Sequence, residues 1–136
     1  MASFVVKAPP PAEGLAEDAP LSFDEKTMWR GNRVQAGDEV FLFAAEHHGG
    51  RGLYARGVAV AAARGAGIRV SLTVRRLAAI AARPLGRAEL RAYRGDPWNG
   101  PGSTPGAELN HKLYRQATNK VAGISEAAAA FLHGFF

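Results

Sequence analysis

The chain contains no cysteine. That absence excludes disulfide frameworks, thiol nucleophiles, iron–sulfur clusters and cysteine-based zinc sites. Long apolar stretches are missing too, for no run approaches the roughly 18 residues that a spanning helix requires. Met1–Gly14 lacks the basic-then-apolar order of a secretory leader, so a cytoplasmic location without a membrane partner is expected. The phosphate-loop, serine-hydrolase and zincin signatures (G-x-x-x-x-G-K-[ST], G-x-S-x-G, H-E-x-x-H) do not occur. No cofactor is expected.

Acidic side chains are scarce in the middle of the chain. Residues 51–94 hold ten arginines and one acid, Glu89, whereas residues 1–46 hold eight acids and four bases. The whole chain carries +5. Guanidinium keeps its charge and offers a fixed fork of donors, so an arginine-only basic stretch suits phosphate. The alternative is a solvated basic face in a chain rich in arginine and alanine. With 136 residues, 47% of them hydrophobic, there is material for one core, and a single domain over 1–136 is expected.

Phe4–Lys7 reads as a first strand halted by Pro9-Pro10-Pro11, followed by an acidic loop over Ala12–Pro20. Ser22 and Glu25 have the spacing of a capping box, which predicts a helix from Phe23 to Arg30 ending at Gly31. Gly37-Asp38 turns the chain into Glu39–Ala45, whose apolar centre Val40–Phe43 predicts a strand buried on both faces. A glycine-rich loop spans His47–Arg51. Leu53–Ala62 reads as a strand in which Gly57 marks a bulge or a close backbone approach. Over Ile68–Val74 apolar and polar residues alternate strictly, one face inward and the other cationic. Arg87–Tyr93 predicts a brief helix, Asp96–Gly106 a surface loop, and Leu113–Ile124 an extended segment. Ser125 caps a last helix from Glu126 to about Leu132, closed by Gly134. Five or six short strands with short flanking helices predict a small barrel-like α+β domain.

Four stretches, in order, resemble the PUA-like superfamily, in particular its EVE and ASCH-related domains. They are Trp29-Arg30-Gly31-Asn32-Arg33, Gly37–Phe43, Gly52–Val58 and Tyr114–Val121. The resemblance implies a pseudobarrel whose cleft accepts a base, often a modified one, from RNA or DNA. It also implies that the first and last strands pair, which would bring Lys7 near the closing segment. Where EVE domains carry a Tyr-His-Ser-like strand end, this chain has Phe43-Ala44-Ala45, so a pocket hydroxyl is missing.

Candidate ligand-binding residues follow. Trp29 could stack on an unstacked base or pack beneath the sheet. Asn32 and Arg33 could meet a base edge or phosphate, or serve as a cap and a solvated charge. Phe43 and Tyr54 are candidates for the pocket lining. Gln116, Thr118, Asn119 and Lys120 offer amides matching base edges plus one cation, although alternate members of an edge strand would face water. Arg69, Arg75 and Arg76 are candidates for phosphate contacts.

Two further readings belong to other classes. Some ASCH-type relatives are small amidohydrolases of modified pyrimidine nucleosides, with a Lys–Thr–Glu constellation for which Lys7, Thr118 and Glu46 are the available trio. A lysine base there would need its pKa lowered by burial. The tail Phe131–Phe136 either docks on its own core or, if exposed, marks a homodimer interface. Glu46-His47-His48 is a weak metal motif, since adjacent histidines on a strand point to opposite faces. No metal is expected.

Overall fold

The computed structural model describes residues 2–11, 20–79, 83–116 and 118–136. The strands are β1 (Ser3–Ala8), β2 (Pro20–Met28), β3 (Glu39–Ala44), β4 (Gly52–Arg64), β5 (Arg69–Ala79) and β6 (Lys120–Ile124). Helix α1 (Arg87–Leu90) runs on as a 3-10 turn over Arg91–Tyr93, and α2 (Pro105–Asn110) runs on as a π-helical turn over His111–Arg115. The last element is α3 (Glu126–His133). The acidic loop expected over Ala12–Pro20 lies, except for Pro20, outside the described residues.

The six strands form a mixed sheet that closes into a ring in the order β1-β3-β4-β5-β2-β6, with β6 returning to β1. β1 runs parallel to β3 and β2 parallel to β6, while the other neighbours are antiparallel. Strand alternation then sorts the apolar residues into two cores. Phe4, Val6, Val40, Leu42, Val70, Leu72, Val74 and Val121 fill the inside of the ring. Val5, Phe41, Phe43 and Ala122 face outward and are covered by Leu90, Leu109, Leu113, Ala128 and Leu132 from the helices. Val40–Phe43 is thus buried on both faces, as its unbroken apolar run predicts. Each such side chain contributes roughly 1.5–3 kcal/mol of burial free energy. Gly57 sits at a register shift between β4 and β5, in keeping with the expected bulge.

Two expectations need correction. Phe23–Arg30 is not helical, because β2 pairs with β5 from Pro20↔Arg75 to Lys26↔Arg69. The serine-to-glutamate spacing is a local signal, and a ladder that buries Leu21 and Thr27 outweighs it. The segment from Leu113 is not extended throughout either, since residues up to Arg115 are helical and the strand starts at Lys120. Its start signal lies further back than the expected loop allowed. Thr104 accepts the Ala107 N–H at 3.2 Å and Pro105 occupies the first turn. Glu108 and Lys112 then pair one turn apart at 3.0 Å.

The Glu108 carboxylate also accepts the Ser125 N–H at 2.8 Å and the Ser125 hydroxyl, and the Ser125 hydroxyl oxygen accepts the Ala128 N–H at 3.1 Å. α2 is thereby tied to the start of α3. The C-terminal aromatics pack on their own chain: the Phe136 ring lies 6.2 Å from Phe41, and the Arg83 guanidinium lies 4.4 Å from Phe135. The opposite side of the ring, formed by β2, β5 and the far end of β4, carries no helix among the described residues and leaves Val60, Ile68 and Leu77 exposed. Among the described residues no helix is long and apolar enough to cross a membrane.

Candidate functional site

The turn after β2 is held in an uncommon shape. Trp29 and Arg30 have φ of 46° and 66°, a left-handed conformation that costs non-glycine residues about 1–2 kcal/mol each. Packing against β6 enforces it. The Gly123 N–H donates to the Trp29 carbonyl at 2.9 Å, and a Cβ on Gly31 would collide with the Val121 carbonyl. Asn32 and Arg33 follow in a 3-10 turn, both exposed.

This turn opens a recess of about 450 Å³, lined by Trp29, Arg30, Arg33 and Lys112 beside Phe4 and Ile124. Asp38 also lines it, and its carboxylate is occupied by the Gln35 N–H at 3.0 Å. Trp29 meets Trp98 edge-on at 6.4 Å and His111 at 5.8 Å, while Trp98 and His111 stack at 4.0 Å with planes 4° apart. The ammonium groups of Lys120 and Lys112 lie 5.7 and 5.9 Å from the Trp29 ring, within cation–π reach. Burial first, then the charges of Arg115, Lys112 and Lys120, lower the His111 pKa, so its ring is neutral near pH 7.

Lys7 and Lys120 sit opposite each other on β1 and β6 and are both buried. They cap the end of the π-helical turn. Lys7 Nζ donates to the Leu113 carbonyl at 2.8 Å; Lys120 Nζ donates to Lys112 at 2.6 Å and to the Gln116 carbonyl. Helix-end carbonyls carry partial negative charge and attract such cations. Burial nevertheless lowers the Lys120 pKa to about 8, with Lys7 and Lys26 adding repulsion. The Lys7 pKa is also lowered, by burial, against the opposing pull of Glu46. Glu46 accepts the Tyr114 hydroxyl at 3.0 Å and the Arg87 N–H at 2.6 Å. Burial first, then Glu46, raises the Tyr114 pKa.

The predicted residues therefore divide. Trp29 and Arg33 line one recess, whereas Asn32 is exposed and does not line it. Lys7 lies within electrostatic reach of Glu46, whereas Thr118 is exposed. In the polar cluster Lys120 is withdrawn into the core, Gln116 and Thr118 are exposed, and Asn119 is half-buried. The Asn119 amide nitrogen contacts His48 at 3.3 Å, and its Oδ1 is buried without a partner among the described residues. Phe43 is fully buried under the helices, and Tyr54 is half-buried against the ring interior. Neither is among the residues that line the Trp29 recess.

The three arginines of β5 do not share a face. Arg69 and Arg75 are exposed on one side, with Arg69 paired to Asp24 at 3.2 Å; Arg76 is half-buried near Tyr54, whose pKa burial pushes up to about 12. One residue of offset reverses the side in a strand. His47 and His48 lie in a 3-10 turn, not a strand, and their rings are 4.1 Å apart. Among the described residues no group of three or more His, Asp or Glu is placed to hold a metal ion.

Sequence reasoning passed over Trp98, His111, Arg30 and Lys112. Trp98 had a signal, for a large aromatic inside a Pro/Gly loop needs something to pack on. His111 and Lys112 were hidden by the missed helix.

Compared with protein-family models, curated proteins and solved structures, the chain finds no match.

Proposed function

We propose that this protein is a non-catalytic reader of nucleic-acid bases in the cytoplasm, a PUA-like, EVE-related domain that takes a base of RNA or DNA, often a modified one, into the Trp29 recess. One observation carries this reading: an indole on a strained turn lines a concave site beside Arg30 and Arg33, neither of which is ion-paired among the described residues, whereas Lys112 is held by Glu108 and Asp38 accepts the Gln35 N–H. Flat aromatic surface suits the face of a base, and guanidinium suits the phosphate attached to it. Strained backbone that the surrounding packing maintains is a feature of ligand sites. The exposed Gln116 and Thr118 remain candidates for a base edge, although neither lines the Trp29 recess.

The test is fluorescence anisotropy with labelled single-stranded RNA and DNA, with and without modified bases, at low and high salt. Trp29→Ala should weaken binding by about 5- to 150-fold, the worth of one stacking contact of roughly 1–3 kcal/mol. No binding by the parent protein in low salt would end this reading.

A second reading rests on the Lys7–Glu46 juxtaposition and the lowered Lys7 pKa, which a lysine base of an ASCH-type amidohydrolase would need. It predicts turnover of modified pyrimidine nucleosides by the parent and loss of that turnover in both Lys7→Ala and Thr118→Ala. Absence of turnover in the parent removes it.

A further inference from the structure

A second recess, of about 200 Å³, is lined by Arg87, Arg91, Arg94 and Arg115 together with Asn110 and Tyr114. Arg87, Arg91 and Arg94 are spaced i, i+4, i+7 along one continuous helical stretch, which puts them on one face. Arg115 approaches from the end of the π-helical turn. All four are exposed. Among the described residues none of the four takes part in an ion pair.

Four like charges around one small hollow repel, so the arrangement is unfavourable until an anion enters. Glu46 and Glu89 lie close enough to act on Tyr114 and offset part of this repulsion, but neither is ion-paired with any of the four. Glu89 accepts the Gly86 N–H at 2.7 Å, and both oxygens of Glu46 are taken by Tyr114 and the Arg87 N–H. The same short helical segment serves both recesses, Lys112 lining the Trp29 recess and Asn110, Tyr114 and Arg115 lining this one. His111, stacked on Trp98, stands between them in sequence.

We infer that the Arg87–Arg91–Arg94–Arg115 recess is a phosphate site, and that it holds the backbone of the strand whose base enters the Trp29 recess. The phosphate chemistry follows from the guanidinium cluster alone; the identity of the strand rests on the proposed reading. Guanidinium forks match phosphate oxygens in pairs, and a site of this kind holds a strand without reading its sequence.

The experiment measures Kd for a labelled single strand against salt, for the parent, for Arg91→Gln/Arg94→Gln and for Trp29→Ala. Loss of two phosphate contacts should flatten the slope of log Kd on log salt by about 1.4, at about 0.7 per contact. Trp29→Ala should weaken binding at every salt concentration and leave the slope unchanged. An arginine double variant with the parental slope overturns the inference while leaving the base reading standing. Should the parent bind no strand, inorganic phosphate is titrated while the arginine side-chain NMR signals are followed. Saturable shifts of these four residues, abolished in the double variant, would support a free-phosphate site and remove the nucleic-acid strand. No shifts would overturn the site as well. Both substituted arginines are solvent-exposed, and unfolding curves matching the parent's verify that the fold is kept.

Discussion

The helix-covered side of the ring buries three lysines while leaving Arg87, Arg91, Arg94 and Arg115 exposed, and the other side fully buries no cation among the described residues. Under α2 and its π-helical turn, Lys7, Lys112 and Lys120 are buried and direct their N–H groups at backbone carbonyls. On the bare side Arg69 and Arg75 stand in solvent, with Arg69 holding a still more exposed Asp24. The contrast teaches that Lys7, Lys112 and Lys120 belong to the architecture, while Arg75, Arg87, Arg91, Arg94 and Arg115 lie at the surface. A compact ammonium on a flexible stem can cap a helix end from below, whereas a planar fork is better placed toward a solvent-borne anion.

The comparison can be broken most forcefully at Lys120. Lys120→Ala leaves the Lys112 and Gln116 carbonyls without their donor and should cost about 3 kcal/mol, read by urea unfolding. A loss below about 1 kcal/mol would mean that the helix end does not depend on the lysine. Gly31→Ala comes next, at about 2–3 kcal/mol, because the new methyl meets the Val121 carbonyl and the Trp29 turn must lift off β6. The Trp29 fluorescence should change with it.

A pH series sharpens the same contrast. A lysine whose folded pKa is depressed to about 8 destabilises the fold while protonated, so stability should rise as pH climbs from 8 toward the ordinary lysine value of 10.5. The tyrosines act with the opposite sign. Tyr54 and Tyr114 have raised pKa values, so their contribution is present below pH 10 and is lost above it as the unfolded tyrosines ionise. A maximum near pH 10 is expected, on the order of 1–2 kcal/mol above the value at pH 8, and Lys120→Met should remove most of the rise. The smallest effect lies on the bare side. Asp24→Asn should change stability by less than about 0.5 kcal/mol, since the Arg69 pair is exposed and screened.

Much of the ring was legible in local pattern. The β5 alternation, the doubly buried Val40–Phe43 run and the Ser125 cap each depend on neighbours within a turn or a strand, and the structure carries all three, except that the alternation begins at Val70 and Ile68, expected inward, is exposed ahead of the strand. β2 was misread for the converse reason, because its capping-box spacing is local while the partner that makes it a strand lies some fifty residues away in β5. The site was less legible than the fold. Trp29 and Arg33 could be singled out from sequence, but Trp98, His111 and Lys112 join them only through a helix whose start signal fell inside an expected loop.

By itself, then, the sequence determined strands such as β1, β3 and β4, where α3 begins, how unevenly the charge is distributed and that no thiol chemistry is present. Tertiary structure alone decided which cations are buried and which meet solvent. A lysine in a strand has no fixed role until a helix end is laid over it, and an arginine becomes part of a recess only when other arginines converge on the same hollow. Both are properties of neighbours distant in sequence, and periodicity of 2 or 3.6 residues carries no information about them.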